Sequence, residues 1–189
     1  MRRIVLLLHT SLDGFAAGPS GEMDWIKVDD EMFDFVGQLT ANADAALYGR
    51  ITWQMMDQYW PNAANQPNPT RHDIEHSTWY NEVEKFVLSG TLQSSTAKKI
   101  TVIGNDFADA IRKIKNKPGK DILLIGSPTV VRELMANNLI DDYWLFLNPV
   151  ILGKGIPVFA SGVDHIQLEL ATIKHFPNGV AAMNYKLVQ

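Results

Sequence analysis

The sequence predicts an α/β fold built on a mixed, mostly parallel sheet, and two features of its pattern carry that expectation. Short apolar runs alternate with amphipathic stretches through the early and middle chain, which is the rhythm of βαβ units. Near the end, Asn178-Gly179 separates two alternating runs, a hairpin signal that adds antiparallel strands to the same sheet. No internal repeat and no linker breaks the chain, so residues 1–189 are expected to form one domain.

Residues 2–9, RRIVLLLH, form a β-rich apolar run that ends in SLDGFAAGPSG, so the first strand feeds a glycine-rich loop. Asp29 or Asp30 can cap a helix whose Met32, Phe35, Val36 and Leu39 follow the spacing of a one-sided stripe. Residues 44–48 read as a buried strand and residues 51–59 as a short helix. The following WPNAANQPNPTRHDIEH, rich in Pro and Asn, reads as a long surface loop. Residues 84–90 and 99–105 supply two more strands; Asn105 is the expected cap of a helix with Phe107, Ile111 and Ile114 inward, closed by Pro118-Gly119. Residues 122–125 are a buried strand running directly into a helix with Ser127 as cap and Pro128 at its first position. DDYWLFLNPVILGKGIPVF then gives a strand and a Gly-Lys-Gly loop ahead of the final hairpin.

Composition narrows the function classes. With no cysteine, disulfides, thiolate nucleophiles, Cys-ligated zinc and iron–sulfur clusters are excluded, and a reducing, cytoplasmic setting is expected. The basic start precedes an apolar run of only Ile4 to Leu8, short of the roughly 7–15 residues of a secretory signal, and no segment has the length of a membrane span. Seventeen basic against 21 acidic residues, a net charge of −4, leave no broad basic surface for nucleic acid. Any anionic ligand therefore needs locally placed donors.

Two places offer them. Gly49-Arg50-Ile51-Thr52 and Gly126-Ser127-Pro128-Thr129 both fall where a buried strand turns into a helix, and helix N-termini carry unpaired N–H groups and partial positive charge. In an open α/β sheet such turns line one crevice at the carboxyl ends of the strands. Two of them suit a diphosphate, and Ser89-Gly90-Thr91 adds donors on the same edge, so a dinucleotide is the economical ligand. The plain alternative is a solvated arginine on a tight turn and an ordinary Ser-Pro helix start.

The segments GRITW (residues 49–53), KFVLS (85–89) and ILLIGSPTVVRELM (122–135) resemble, in order and spacing, segments of the dihydrofolate reductase superfamily. SLDGFAAGPSGEMDWI and LIDDYWLFLNPVILGKGIPVF resemble the reductase domain of riboflavin biosynthesis and its small bacterial relatives. The resemblance implies a three-layer dihydrofolate reductase-like fold, NADPH as hydride donor, a small pyrimidine- or pteridine-type substrate and a homodimer. It assigns Gly49, Arg50 and Thr52 to cofactor phosphates and Ser89 to the adenosine ribose and its 2′-phosphate. Gly126, Ser127 and Thr129 at the next helix start are assigned to the diphosphate, with the Ser127 hydroxyl as a donor. Gly153, beside Lys154, is placed toward the nicotinamide; the alternative for Lys154 is a solvated loop.

At the substrate end, Trp25 is a candidate pocket cover, and Asp30 is the first choice of proton donor because the family places an acid five positions after a comparable tryptophan. Asp13 is the second choice. Helix capping by Asp29 or Asp30 and an Asp-Gly turn at Asp13 are the alternatives. His9 reads as a satisfied, partly buried histidine; His72 and His76, with i, i+4 spacing, lack a third metal ligand. Tyr143, Trp144 and Phe146 are candidate surface residues for a dimer contact. The competing functions are a cofactor-binding sensor without turnover and a phosphosugar or nucleotide hydrolase, for which neither metal cluster nor nucleophile elbow is visible.

Overall fold

In chain order the elements are β1 (Ile4–Thr10), β2 (Phe15–Ala17), α1 (Asp30–Ala41), β3 (Ala43–Gly49), α2 (Arg50–Tyr59), a 3₁₀ segment (Trp60–Asn65), α3 (Arg71–Glu82), β4 (Glu84–Leu88), β5 (Ile100–Ile103), α4 (Phe107–Lys115), β6 (Asp121–Ile125), α5 (Pro128–Ala136), β7 (Asp142–Leu147), β8 (Ile156–Pro157), β9 (Leu168–His175) and β10 (Ala181–Leu187). The computed structural model describes residues 1–92, 94, 95, 97, 99–159 and 165–188.

Eight strands form one sheet in the order β5-β4-β3-β6-β1-β7-β10-β9, while β2 and β8 pair in a separate antiparallel ribbon. From β5 to β7 every pairing is parallel, and β10 runs antiparallel to both β7 and β9. This is the mixed, mostly parallel sheet with an antiparallel C-terminal hairpin that the sequence pattern implies. One face buries Ile4, Leu6 and Leu124 against Ile111 of α4 and Leu134 of α5. The other buries Val5, Tyr48 and Leu123 against Tyr80 of α3, and Leu7 and Phe146 against Met32 of α1. Strands covered on both faces need unbroken apolar runs, which is why β1, β3 and β6 stand out in the sequence. At the amino end of the sheet, Arg2 pairs with Asp44, and Arg3 reaches Asp121 at 2.5 Å and Asp142 at 3.1 Å.

Three local expectations are corrected. Residues 60–76 are not a surface loop: the 3₁₀ segment and α3 occupy most of them. Thr70 and Asp73 form a reciprocal capping box, with Oγ1 of Thr70 accepting from the Asp73 N–H at 3.1 Å and Asp73 Oδ2 accepting from the Thr70 N–H at 2.9 Å. The helix buries His76, Ser77 and Tyr80, so it lacks an aliphatic stripe. Its histidines pack on aromatics, His72 stacked on Phe33 at 3.9 Å and His76 tilted against Trp60 at 4.0 Å, and no metal-holding group of three is found among the described residues. The cap of α4 is Asp106, in the left-handed region at φ 51°, one residue after Asn105. Tyr143 and Phe146, expected at a dimer surface, are both 0 % exposed, because β7 lies inside the sheet between β1 and β10. The exposed apolar residues of this region are Leu170 and Ile173 on the edge strand β9. No helix among the described residues is long and apolar enough to cross a membrane.

His76 generates a test of this packing. It is buried, its Nε2 has no partner among the described residues, and burial, aided by His72, pushes its pKa down to about 3. The folded value lies below the unfolded one, so the unfolded chain binds more protons between the two. The stabilising share of His76 is therefore complete above the unfolded pKa and is lost as pH falls toward the folded one. Urea unfolding should show a loss of roughly 2 kcal/mol from this residue between pH 7 and pH 5, and His76→Phe should flatten that slope.

Candidate functional site

The carboxyl ends of β4, β3, β6 and β1, adjacent in that order, open on one cavity of about 650 Å³. Three strand spacings of about 4.8 Å carry it about 14 Å across the sheet. Its middle is built by the two strand-to-helix turns. Gly126 and Ser127 are both left-handed, at φ 58° and 60°, and swing the chain from β6 into α5. That turn aims the Ser127 hydroxyl back at the neighbouring junction, where Oγ accepts from the Gly49 N–H at 2.7 Å and donates to Thr52 Oγ1 at 2.8 Å. A side chain at Gly49 is not accommodated freely: an added Cβ would lie 3.1 Å from Ser127 Oγ and 3.2 Å from Val130 Cγ2.

Neither α2 nor α5 has a side-chain cap on its first turn. Their leading N–H groups face the cavity mouth with the positive ends of both helix dipoles, less the one donor that Pro128 lacks. Arg50 lines the same space and holds Gln54 Oε1 at 3.0 Å through Nη1. Thr129 lines it too. The Ser127 proton is committed to Thr52, so the hydroxyl donor that the sequence assigned to Ser127 passes to Thr52. Ser89 stands at the β4 end, buried, with its Oγ accepting from the N–H groups of Thr91 at 3.2 Å and Leu92 at 2.9 Å. Beyond it a shallower groove continues along Gly104, Asn105 and Arg112.

Of the residues singled out in the sequence, the structure brings Gly49, Arg50, Thr52, Ser89, Gly126, Ser127 and Thr129 together around this cavity. Asp13, Trp25, Asp30 and Gly153 lie outside its lining. The Asp13 carboxylate receives the Ser11 hydroxyl at 2.7 Å and the N–H groups of Gly153 at 2.7 Å and Leu152 at 3.1 Å, tying the first loop to the Gly-Lys-Gly loop. These bonds, that from Ser11 first, hold its pKa below the usual carboxylate range, the wrong direction for a proton donor. They also consume the Gly153 N–H. Trp25 donates through Nε1 to the Glu22 carbonyl at 3.0 Å. Asp29, not Asp30, caps α1, with Oδ1 accepting from the Met32 N–H at 2.9 Å; Asp30 follows it, exposed.

The β1 end of the cavity was not visible in the sequence. Met23 and Ile26 of the loop after β2, Met55 of α2 and Ile156 of β8, three separate segments, join the lining there, with His9 at the end of β1. The β2–β8 ribbon closes one side and needs Gly155, where a Cβ would meet the Ala17 carbonyl oxygen at 2.2 Å. His9 stacks on Phe146 at 4.9 Å, its Nδ1 lies 3.2 Å from Asn148 Nδ2, and burial pushes its pKa down to about 4. The one available signal was a polar residue closing an apolar strand at the carboxyl edge.

The model of the RibD C-terminal domain matches residues 2–182. The chain belongs to that family. The uncharacterized protein YyaP of Bacillus subtilis (strain 168) is 32% identical over 188 residues, covering 97% of this chain and 94% of its own length. Among solved structures, the fold is similar to that of a Shewanella sp. PV-4 protein provisionally assigned to riboflavin biosynthesis, with TM-score 0.73, 23% identity and 100% of both chains covered. It is also similar to a Thermotoga maritima diaminohydroxyphosphoribosylaminopyrimidine deaminase/5-amino-6-(5-phosphoribosylamino)uracil reductase, with TM-score 0.68 and 16% identity, covering 99% of this chain and 57% of that one. Family and fold thus agree: the chain is a RibD C-terminal domain with the architecture of these solved structures.

Within this family architecture, the Ser127 hydroxyl is the bond that joins the two junctions. Ser127→Ala leaves the Gly49 N–H without its acceptor and Thr52 without its donor, and should lower stability by about 1–3 kcal/mol in urea unfolding.

Proposed function

We propose that the chain is an NADPH-dependent reductase of a small heterocycle of pyrimidine or pteridine type. The observation that carries this reading is the pair of uncapped helix N-termini, tied by Ser127, at the middle of a cavity that continues in both directions along the strand ends. An extended dinucleotide with a central diphosphate fits that layout, because the anion lies where N–H donors and both helix dipoles converge. Gly49 and Gly126 let backbone approach the phosphates, Thr52 donates its free hydroxyl proton, and Arg50 supplies the full positive charge. Ser89 and the groove beyond it take the adenosine half. The apolar β1 end then receives the nicotinamide and the substrate.

When bound, the cofactor supplies a hydride to an electrophilic C=N or C=O carbon and is itself oxidised. The chain's part is to hold the two rings face to face in a space lined by apolar side chains, which excludes water from their contact. No carboxyl group lines the β1 end among the described residues, so the matching proton comes from solvent at the cavity mouth. The same feature favours a second reading, a protein that binds NADP(H) as a sensor without turnover.

NADPH should bind more tightly than NADH, and Arg50→Ala should weaken NADPH by about tenfold or more, since hydrogen bonds to a charged group contribute roughly 1.5–3 kcal/mol each. Titration by dihydronicotinamide fluorescence reads both; equal affinity of wild type and variant removes Arg50 from the phosphate site. Oxidation of bound NADPH by a panel of pterins, aminopyrimidines and quinones separates reductase from sensor.

A further inference from the structure

We propose that the β1 end of the cavity takes a neutral, planar molecule bearing a ring carbonyl or imine, received by the Nε2–H of His9, and that it rejects phosphorylated substrates. The orientation of this end relative to a cofactor rests on the reductase reading; the ligand chemistry follows from the lining itself.

Charge comes first. Among the described residues Arg50 is the only lysine or arginine in the lining, and it stands at the helix starts in the middle of the cavity. The β1 end offers Ala16, Ala17, Met23, Ile26, Met55 and Ile156, none of which can pair with an anion. The charged side chains of the neighbouring loops are engaged outside the lining, Glu22 beside Lys154. The Glu22 carboxylate is bound into the turn at Ser20, whose N–H it accepts at 2.9 Å, and Asp13 ties the neighbouring loop. A phosphate monoester moved into this end would lose its hydration with no cation in return, and such burial of an unpaired charge is strongly disfavoured. A flat neutral ring has the opposite preference, and the flexible thioethers of Met23 and Met55 can settle on its faces. The Thermotoga enzyme is named for a phosphoribosylated uracil, so this chain departs from that substrate in the part that carries the charge.

The hydrogen-bonding group is defined by the side chain behind it. Asn148 is buried, and its orientation is fixed at both ends: Oδ1 accepts from the Lys27 N–H at 2.9 Å, and Nδ2 donates to the Phe146 carbonyl at 3.0 Å. The second Nδ2 hydrogen faces His9 Nδ1 at 3.2 Å, which makes Nδ1 an acceptor and leaves the ring proton on Nε2. Nε2–H has no partner among the described residues. His9 is neutral at pH 7, since burial lowers its pKa to about 4, so it presents one donor and no charge. A neutral imidazole of this kind pairs with a carbonyl oxygen or ring nitrogen and polarises it without a proton leaving the protein.

The test uses the full chain saturated with NADPH, or with inorganic pyrophosphate if NADPH does not bind, so that the anion site is filled. Calorimetric titration with lumazine, menadione, uridine and uridine monophosphate reads the β1 end alone. Lumazine is expected to bind, and uridine to bind at least tenfold more tightly than its monophosphate. His9→Phe should weaken lumazine at least tenfold and leave NADPH within about twofold, and His9→Gln, which keeps an N–H donor, should recover part of the loss. Circular dichroism confirms that each variant is folded. Equal or tighter binding of the monophosphate, an unchanged lumazine affinity in His9→Phe, or no binding of any of the neutral probes overturns the proposal. Failure of NADPH to bind while lumazine is held through His9 overturns the reductase reading and leaves this one standing.

Discussion

The hydroxyl of Ser127 occupies the point where two strand-to-helix junctions meet. It accepts one hydrogen bond from the backbone of the β3–α2 turn and donates another to the first turn of α2. In a cysteine-free core, this contact keeps the two helix starts in register. It also explains three local choices at once. Ser127 must be left-handed to reach across, Gly49 must lack a side chain to be reached, and Thr52 must be a hydroxyl residue to receive the proton. An alanine at 127 would satisfy the fold class and lose all three. The centre of the cavity is thus pre-arranged by the protein, which lowers the ordering that a ligand must impose on binding.

The sequence made some of this readable and concealed the rest for physical reasons. β1, β3 and β6 are covered on both faces, and their apolar runs stand out in any window. The strand-to-helix turns are equally visible, because Gly49-Arg50 and Gly126-Ser127-Pro128 mark the chain at single points where local chemistry is decisive. The opposite end of the cavity is assembled from residues 9, 23, 26, 55 and 156, and only the topology brings them together. No local signal marks Met23 or Ile156. α3 escaped because its buried side are His76, Ser77 and Tyr80, and a helix that packs through polar and aromatic groups carries no aliphatic stripe. Tyr143 and Phe146 were placed outside because alternation within a strand cannot tell whether neighbouring strands and helices will cover both of its faces.

Asp13 and Asp29 show a related limit. Each carboxylate lies in the part of the chain where a proton donor was sought, and each is bound to backbone N–H groups, Asp13 to the loop at Leu152 and Gly153 and Asp29 to Met32. A short run of acids beside a tryptophan has the same letters whether it caps a helix, pins a loop or donates a proton. What separates these roles is the list of partners, and partners distant in sequence, such as Gly153 for Asp13, are legible only in three dimensions.

The position of β1 has a consequence for how the chain is made. β1 is synthesised well before β6 and β7, its register partners being Ile122 to Ile125 on one side and Asp142 to Leu147 on the other. At the roughly 5–20 residues per second of translation, Ile4–Thr10 waits on the order of ten seconds for an edge to dock on. Through that interval an unpaired IVLLL segment is an aggregation hazard on the ribosome. Arg2 and Arg3 stand immediately before it, two charges of the kind that guard such strands, and only later take up their partners Asp44, Asp121 and Asp142. The same pair of arginines thus serves the nascent chain as a solubilising flank and the finished sheet as its clasp.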